Sequence, residues 1–351
     1  MSRREIRRML MGPPRKRLLD RPWAIPALMV LVLVGGVAAG IGIGLVARPR
    51  PQSPPPPAAR EDSRLPVYEE PLATPDVQAP PPRPSGSITG EGAREEALAS
   101  IPPAAAPAKG IPAWVRYAVP ARPALGRPMI AVVIDDLGLD KRRTERVTTL
   151  RAPLTLSFMT YAEDLDRQTA LARSRGHELM VHMPMQPMNS SYDAGPDVLL
   201  TGLPAAELRR RIDWGLSRFK GFVGINNHMG SRFTADPVGM AVVMEEMRRR
   251  GLLFLDSVTT GKSVAGEMAR RYGVPFAARE VFLDNDQSVA AVRGQLDKVE
   301  ALARRTGAAI AIGHPHDATI EALGSWLPAL ERRGFVLVPV TALVKEPGPG
   351  G

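Results

Sequence analysis

The feature that most constrains the fold is an alternation that begins at Met129 and continues to about residue 345, in which short β-branched runs are separated by amphipathic stretches. The runs predict strands at 129–134 (MIAVVI), 154–158 (LTLSF), 178–182 (ELMVH), 222–226 (FVGIN), 252–256 (LLFLD), 308–313 (AAIAIG) and 335–340 (FVLVPV), with a weaker one at 281–283. Between them, AAELRRRIDWGLSRF, PVGMAVVMEEMRRRG and SVAAVRGQLDKVEALARRTG repeat apolar residues three and four apart, and Gly closes the pattern. Strands alternating with helices indicate a parallel α/β domain, placed at 128–345 and followed by a flexible tail at 346–351. Seven or eight such units fit a distorted (β/α)7-8 barrel better than an open doubly wound sheet.

The N-terminal third has no such alternation. Residues 24–47 carry no charge (AIPALMVLVLVGGVAAGIGIGLVA) and match the roughly 20 apolar residues that cross a bilayer core. Eight basic residues against two acids in the first 21 positions predict a basic cytoplasmic tail at 1–23 and an uncleaved transmembrane signal anchor at 24–47. The protein is then expected in the cell inner membrane, single-pass, with its domain on the periplasmic or extracellular side. Residues 48–127 are rich in Pro and Ala and read as a semi-rigid linker, in which Ile111–Val119 (IPAWVRYAV) is an apolar island suited to pack on the domain as a flap. Most of the formal charge of +10 lies in the basic tail, and no basic stripe interleaved with aromatics follows, which argues against nucleic acid as a partner. The absence of cysteine excludes thiolate ligands and a cysteine nucleophile.

The chemistry-bearing residues fall repeatedly at the C-terminal ends of the expected strands: Asp135 and Asp136, His182, Asn226 to His228, Asp256, and His314. In an α/β barrel that rim is where active sites assemble. Asp135 and Asp136 are adjacent, so their side chains are expected to diverge, one binding a metal while the other faces a water. Histidine and carboxylate without cysteine suit zinc or a similar divalent ion held by three protein ligands. His177 lies at a strand entrance and is expected to be structural. TTGKS at 259–263 ends like a phosphate-binding loop but has Asp256 where the first glycine is required.

The set IDDLG, HMPMQP, NNHMGSRFT, FLDS and GHPH, in that order over 129–345, closely resembles the divergent polysaccharide deacetylase family, a relative of the NodB-homology deacetylases. The resemblance implies a distorted (β/α) barrel, a divalent metal such as zinc, and hydrolysis of N-acetyl groups on an envelope carbohydrate polymer. It assigns Asp135 as catalytic base, His314 as general acid, and Asp136 and His182 as metal ligands. Gln186 stands where the related motif has its second metal histidine, and His228 is the expected replacement. Asn227, Arg232, Asp256 and His316 are expected at the substrate. Two rival readings are an inactive envelope barrel that binds glycan or a protein partner, and a glycosidase whose paired acids, Asp135 and Asp256, would sit roughly 5–9.5 Å apart.

Overall fold

A computed structural model describes residues 110–344. The basic tail, the apolar run at 24–47, the linker up to residue 109 and the last residues of the chain lie outside the described residues. Among those described, no helix is long and apolar enough to cross a membrane.

The strands are β1 Met129–Leu137, β2 Thr155–Met159, β3 Glu178–Met185, β4 Gly224–Met229, β5 Leu253–Asp256, β6 Phe276–Ala278, β7 Val281–Phe282, β8 Ala308–Gly313 and β9 Val336–Leu337. They form one sheet in the order β6-β5-β4-β3-β2-β1-β8-β7, with β9 beside β1, and every ladder is parallel. The expected strand at 335–340 shrinks to two residues, and β6 was not foreseen. The helices are α1 Ala113–Arg116, α2 Lys141–Thr148, α3 Leu165–Ser174, α4 Ala205–Ser217, α5 Pro237–Arg250, α6 Ala265–Tyr272, α7 Val289–Thr306 and α8 Asp317–Leu330. Local signals delimit them. Asp236 caps α5 by accepting from Val238 N and Gly239 N, Pro237 opens it, and Gly251 closes it at φ +63°, a conformation that favours glycine.

Period-two alternation divides the core between the two faces of the sheet. Ile130, Val132, Leu179, Val181, Phe254 and Ala311 pack under the helices. Ala131, Val133, Met180, Leu255, Ala277 and Ile312 form a second cluster that runs from β6 to β8 across the strand order, and the sheet curls around them as a half-barrel. No ladder joins β6 to β7 among the described residues. Instead the chain crosses the gap: Arg279 N donates to Asp256 O beside β6, and Glu280 N donates to Ile310 O beside β7.

Ile111–Val119 packs as the expected flap. Trp114 N donates to Gly251 O at 2.9 Å, and the Trp114 and Tyr117 rings rest on the inner cluster. At the same end of the sheet the buried Glu178 carboxylate accepts from Val119 N, Thr155 Oγ1, Thr341 N and Thr341 Oγ1, fastening the flap, β2 and the final turn to β3.

Candidate metal centre

The inward-facing positions extend beyond the inner cluster to the C-terminal ends of the strands, where they turn polar. Val133 is followed two residues on by Asp135, Met180 by His182, Leu255 by Ser257 and Ile312 by His314. Strict alternation would send Asp136 outward. Asp136 instead adopts φ +56°, and the β1–β2 register shifts between Ile134 and Leu137. This left-handed residue brings both neighbouring carboxylates onto the inner face, so the expected divergence of Asp135 and Asp136 is overturned. Both reach one ring: His182 Nε2 lies 3.1 Å from Asp136 Oδ1 and 3.9 Å from Asp135 Oδ2.

Asp136, His182 and His228 each aim one ligand atom at a common point, with those atoms within 4.8 Å of one another. They come from β1, β3 and β4, and Asp135, His182 and His228 are 0% exposed. His228 Nδ1 is 2.9 Å from Asp136 Oδ1, yet neither carboxylate oxygen of Asp136 and neither ring nitrogen of His228 makes a hydrogen bond of normal geometry. Each unsatisfied buried polar group costs about 1–3 kcal/mol. A divalent cation between the three would satisfy them together, and two histidines with one carboxylate form a donor set suited to such an ion. The residues therefore fit a metal. Burial opposes ionisation of Asp136, but the neighbouring His228 and His182 outweigh it and hold this carboxyl well below the usual carboxylate range. Burial pushes Asp135 up, against the influence of His182, His314 and Asn226.

Gln186 takes no part in the cluster. Its Oε1 accepts from Thr201 N and Thr201 Oγ1, both at 2.9 Å, and its main-chain oxygen accepts from Arg232 N and Phe233 N.

A second group, Asp284, His314 and His316, has a different character. Asp284 Oδ1 lies 3.0 Å from His314 Nδ1, while Oδ2 accepts from His314 N at 2.6 Å and Thr319 Oγ1 at 2.7 Å. With its oxygens engaged by donors, Asp284 serves to position an imidazole rather than to ligate a cation. Burial opposes ionisation of Asp284, but His314 and these hydrogen bonds overcome it and lower the carboxyl. Nδ1 of His314 consequently carries its hydrogen toward Asp284. The Phe282 ring packs edge-on against His314, and the His316 ring lies 5.9 Å from it. Burial lowers His316, favouring its neutral form.

Two residues expected at the substrate face elsewhere. Asp256 follows the outward Phe254, and its carboxylate accepts from Val258 N and Ser263 Oγ, bracing the loop after β5. These two hydrogen bonds, rather than a paired acid, engage the Asp256 carboxylate. Asn227, also outward, accepts from Ser257 N and donates to Met229 O. Arg232 is exposed beside the short turn at 233–235. His177 is structural as expected, its Nδ1 accepting from Leu154 N and its Nε2 lying 3.1 Å from Thr148 O.

Sequence reasoning did not single out Asp284, although a signal existed. FLD occurs at 254–256 and again at 282–284, and the second copy, after the weak strand, supplies the site. Asn226 was noted only within a strand-end group. It lies fully buried between Asp135 and His182.

Comparison with known proteins places this geometry in context. The model of the family described as divergent polysaccharide deacetylase matches residues 132–344. The chain is 35% identical over 218 residues to YibQ of Escherichia coli K12, covering 62% of this chain and 68% of that protein. It is 36% identical over 200 residues to a protein of Haemophilus influenzae, covering 56% and 70% respectively. A crystal structure of a protein from Agrobacterium tumefaciens C58 superposes with a TM-score of 0.66 at 31% identity, covering 69% of this chain and 100% of that one. All three are described as uncharacterized.

Proposed function

Because the chain belongs to the divergent polysaccharide deacetylase family, we propose that its α/β domain hydrolyses N-acetyl groups on an envelope carbohydrate polymer with the help of a divalent metal, zinc being the ion that best suits the donors. The observation that carries this reading is the set of unsatisfied buried ligand atoms on Asp136 and His228, facing His182, with a second carboxylate alongside.

When bound, the metal supplies Lewis acidity to the acetamide carbonyl and to the attacking water. Asp135, held by Asn226 at 2.8 and 2.9 Å, accepts the proton that water loses as its oxygen adds to the carbonyl carbon. His314 gives a proton to the amine nitrogen as the C–N bond breaks, leaving acetate and a free amine. Asp284 stabilises the imidazolium form of His314 and fixes its ring. Each such proton transfer typically contributes about 10²–10⁴ in rate. Arg232 and His316, at the rim, are proposed to contact the glycan. The sequence alone supports anchoring through 24–47, with the domain on the periplasmic or extracellular side.

The test is metal analysis of the purified full-length chain, followed by an acetate-release assay on N-acetylated glucosamine oligomers. Stoichiometric metal and release that disappears on chelation are expected. A second reading, a barrel that binds glycan without turnover, is favoured by the complete burial of Asp135, His182 and His228. It gains if metal binds, no acetylated glycan releases acetate, and Asp135→Asn leaves glycan binding unchanged.

A further inference from the structure

Asn226 is outside the ligand set, yet its amide meets more of the site than any ligand does. It sits on β4 where β1, β2, β3 and the loop after β5 converge, and it is 0% exposed. Nδ2 donates to Asp135 Oδ1 at 2.8 Å, Asp135 Oδ2 at 2.9 Å and Ser257 Oγ at 3.2 Å. Oδ1 accepts from Ser157 Oγ and from His182 Nδ1, the latter at 2.8 Å.

We infer that Asn226 is a positioning residue that fixes the proton pattern of the site, holding the Asp135 carboxylate in place and locking His182 in the tautomer that presents a bare Nε2 to a metal. The inference rests on the deacetylase reading for the role of Asp135 as base.

Shape alone does not orient an amide, but its neighbours do. Nδ2 lies within hydrogen-bond distance of both Asp135 oxygens, so the NH₂ of Asn226 faces that carboxyl. The amide oxygen is thereby turned to His182, and an oxygen can only accept. The nitrogen it meets, Nδ1, must therefore carry a hydrogen. A neutral imidazole protonated at Nδ1 keeps its lone pair on Nε2, the nitrogen 3.1 Å from Asp136 Oδ1. Reversing the amide would give up both contacts from Nδ2 to Asp135 and set the amide oxygen against that carboxyl instead. The contact with Asp135 is thus relayed through one side chain to the tautomer of His182.

His182 and His314 also differ in the partner at Nδ1. His182 meets a neutral amide, whereas His314 meets the Asp284 carboxylate. A carboxylate partner favours a protonated ring, as a general acid needs. An amide partner fixes direction without adding a charge, which suits a ligand that must stay neutral.

The test uses the full-length chain in detergent, metal-free and mildly alkaline, with ¹⁵N only in the rings of its five histidines. His182 is identified as the resonance lost in His182→Gln. A hydrogen on Nδ1 and none on Nε2 is expected, and the opposite tautomer in the unmutated chain overturns the inference. In Asn226→Ala the single tautomer should give way to a mixture, and Zn²⁺ affinity measured against a competing chelator should fall about 10- to 100-fold. A folded Asn226→Ala chain with the same tautomer and the same Zn²⁺ affinity overturns it equally. Absence of acetate release from the unmutated chain would sink the deacetylase reading, while the ring spectra would still decide the tautomer.

Discussion

Gln186 is held where it cannot serve as a ligand, because turning its amide toward the cluster would abandon both the N–H and the hydroxyl of Thr201. Gln186→Ala is expected to cost about 1–2 kcal/mol of stability and to leave the metal in place. His228→Ala should strip the metal, since two remaining protein ligands compete poorly with water. Metal analysis after dialysis separates the two, and a metal-free Gln186→Ala chain would reverse the assignment. Asp135→Asn keeps the shape of the side chain but cannot take up a water proton. It should retain metal while acetate release falls about 10²-fold or more. Asp256→Asn should act on the loop after β5 alone, lowering the melting temperature without a specific loss of turnover. A large loss of turnover at unchanged melting temperature would return Asp256 to the site.

Among the elements, the junction of α2, β2 and β3 depends on His177, which is fully buried between Leu154 N and Thr148 O. The hydrogen bond from Leu154 requires a bare Nδ1, so only the neutral ring fits. Burial lowers this histidine below its ordinary value of 6.5, with Thr148 O acting weakly the other way. The folded state therefore holds this proton less firmly than the unfolded chain does. Stability from this contact is complete above pH 6.5 and declines as pH falls from there through the folded value. Denaturant melts of His177→Gln should show a flatter dependence than the unmutated chain below pH 6.5, and parallel curves would show that His177 does not titrate with folding. At the C-terminal end of β1, the left-handed Asp136 belongs to a strained set with Met229, the last residue of β4, and Val258, just after β5, both at φ +52°. A β-branched residue such as Val258 adopts this conformation rarely, and such strain concentrates where side chains must be aimed at a site.

For the molecule as a whole, candidate ligand atoms drawn from three strands would make metal binding a folding constraint. A chelator should lower the melting temperature reversibly, by the equivalent of about 2.7 kcal/mol when free metal had stood at 100 times its dissociation constant. An unchanged melting curve would argue against the cluster as a metal site. A reporter enzyme active only outside the cytoplasm, fused after Gly351, should be active if 24–47 is a signal anchor, and a stable but inactive fusion would refute that orientation. The sequence by itself determined the α/β class, the places of the principal strands, and the rim on which Asp135, Asp136, His182, His228 and His314 gather. Each of these follows from a local period or from the step between an apolar run and the polar residue that ends it. Only the tertiary structure decided which polar residues turn inward. Asp136 joins Asp135 through one left-handed residue, and Asn227 and Asp256 fall on the helix side because a displacement of one residue along a strand reverses the face. The choice between the two FLD segments has the same origin: Asp284 meets His314 because β7 pairs with β8 after the chain crosses from β6, a contact between segments about 30 residues apart that no local pattern records.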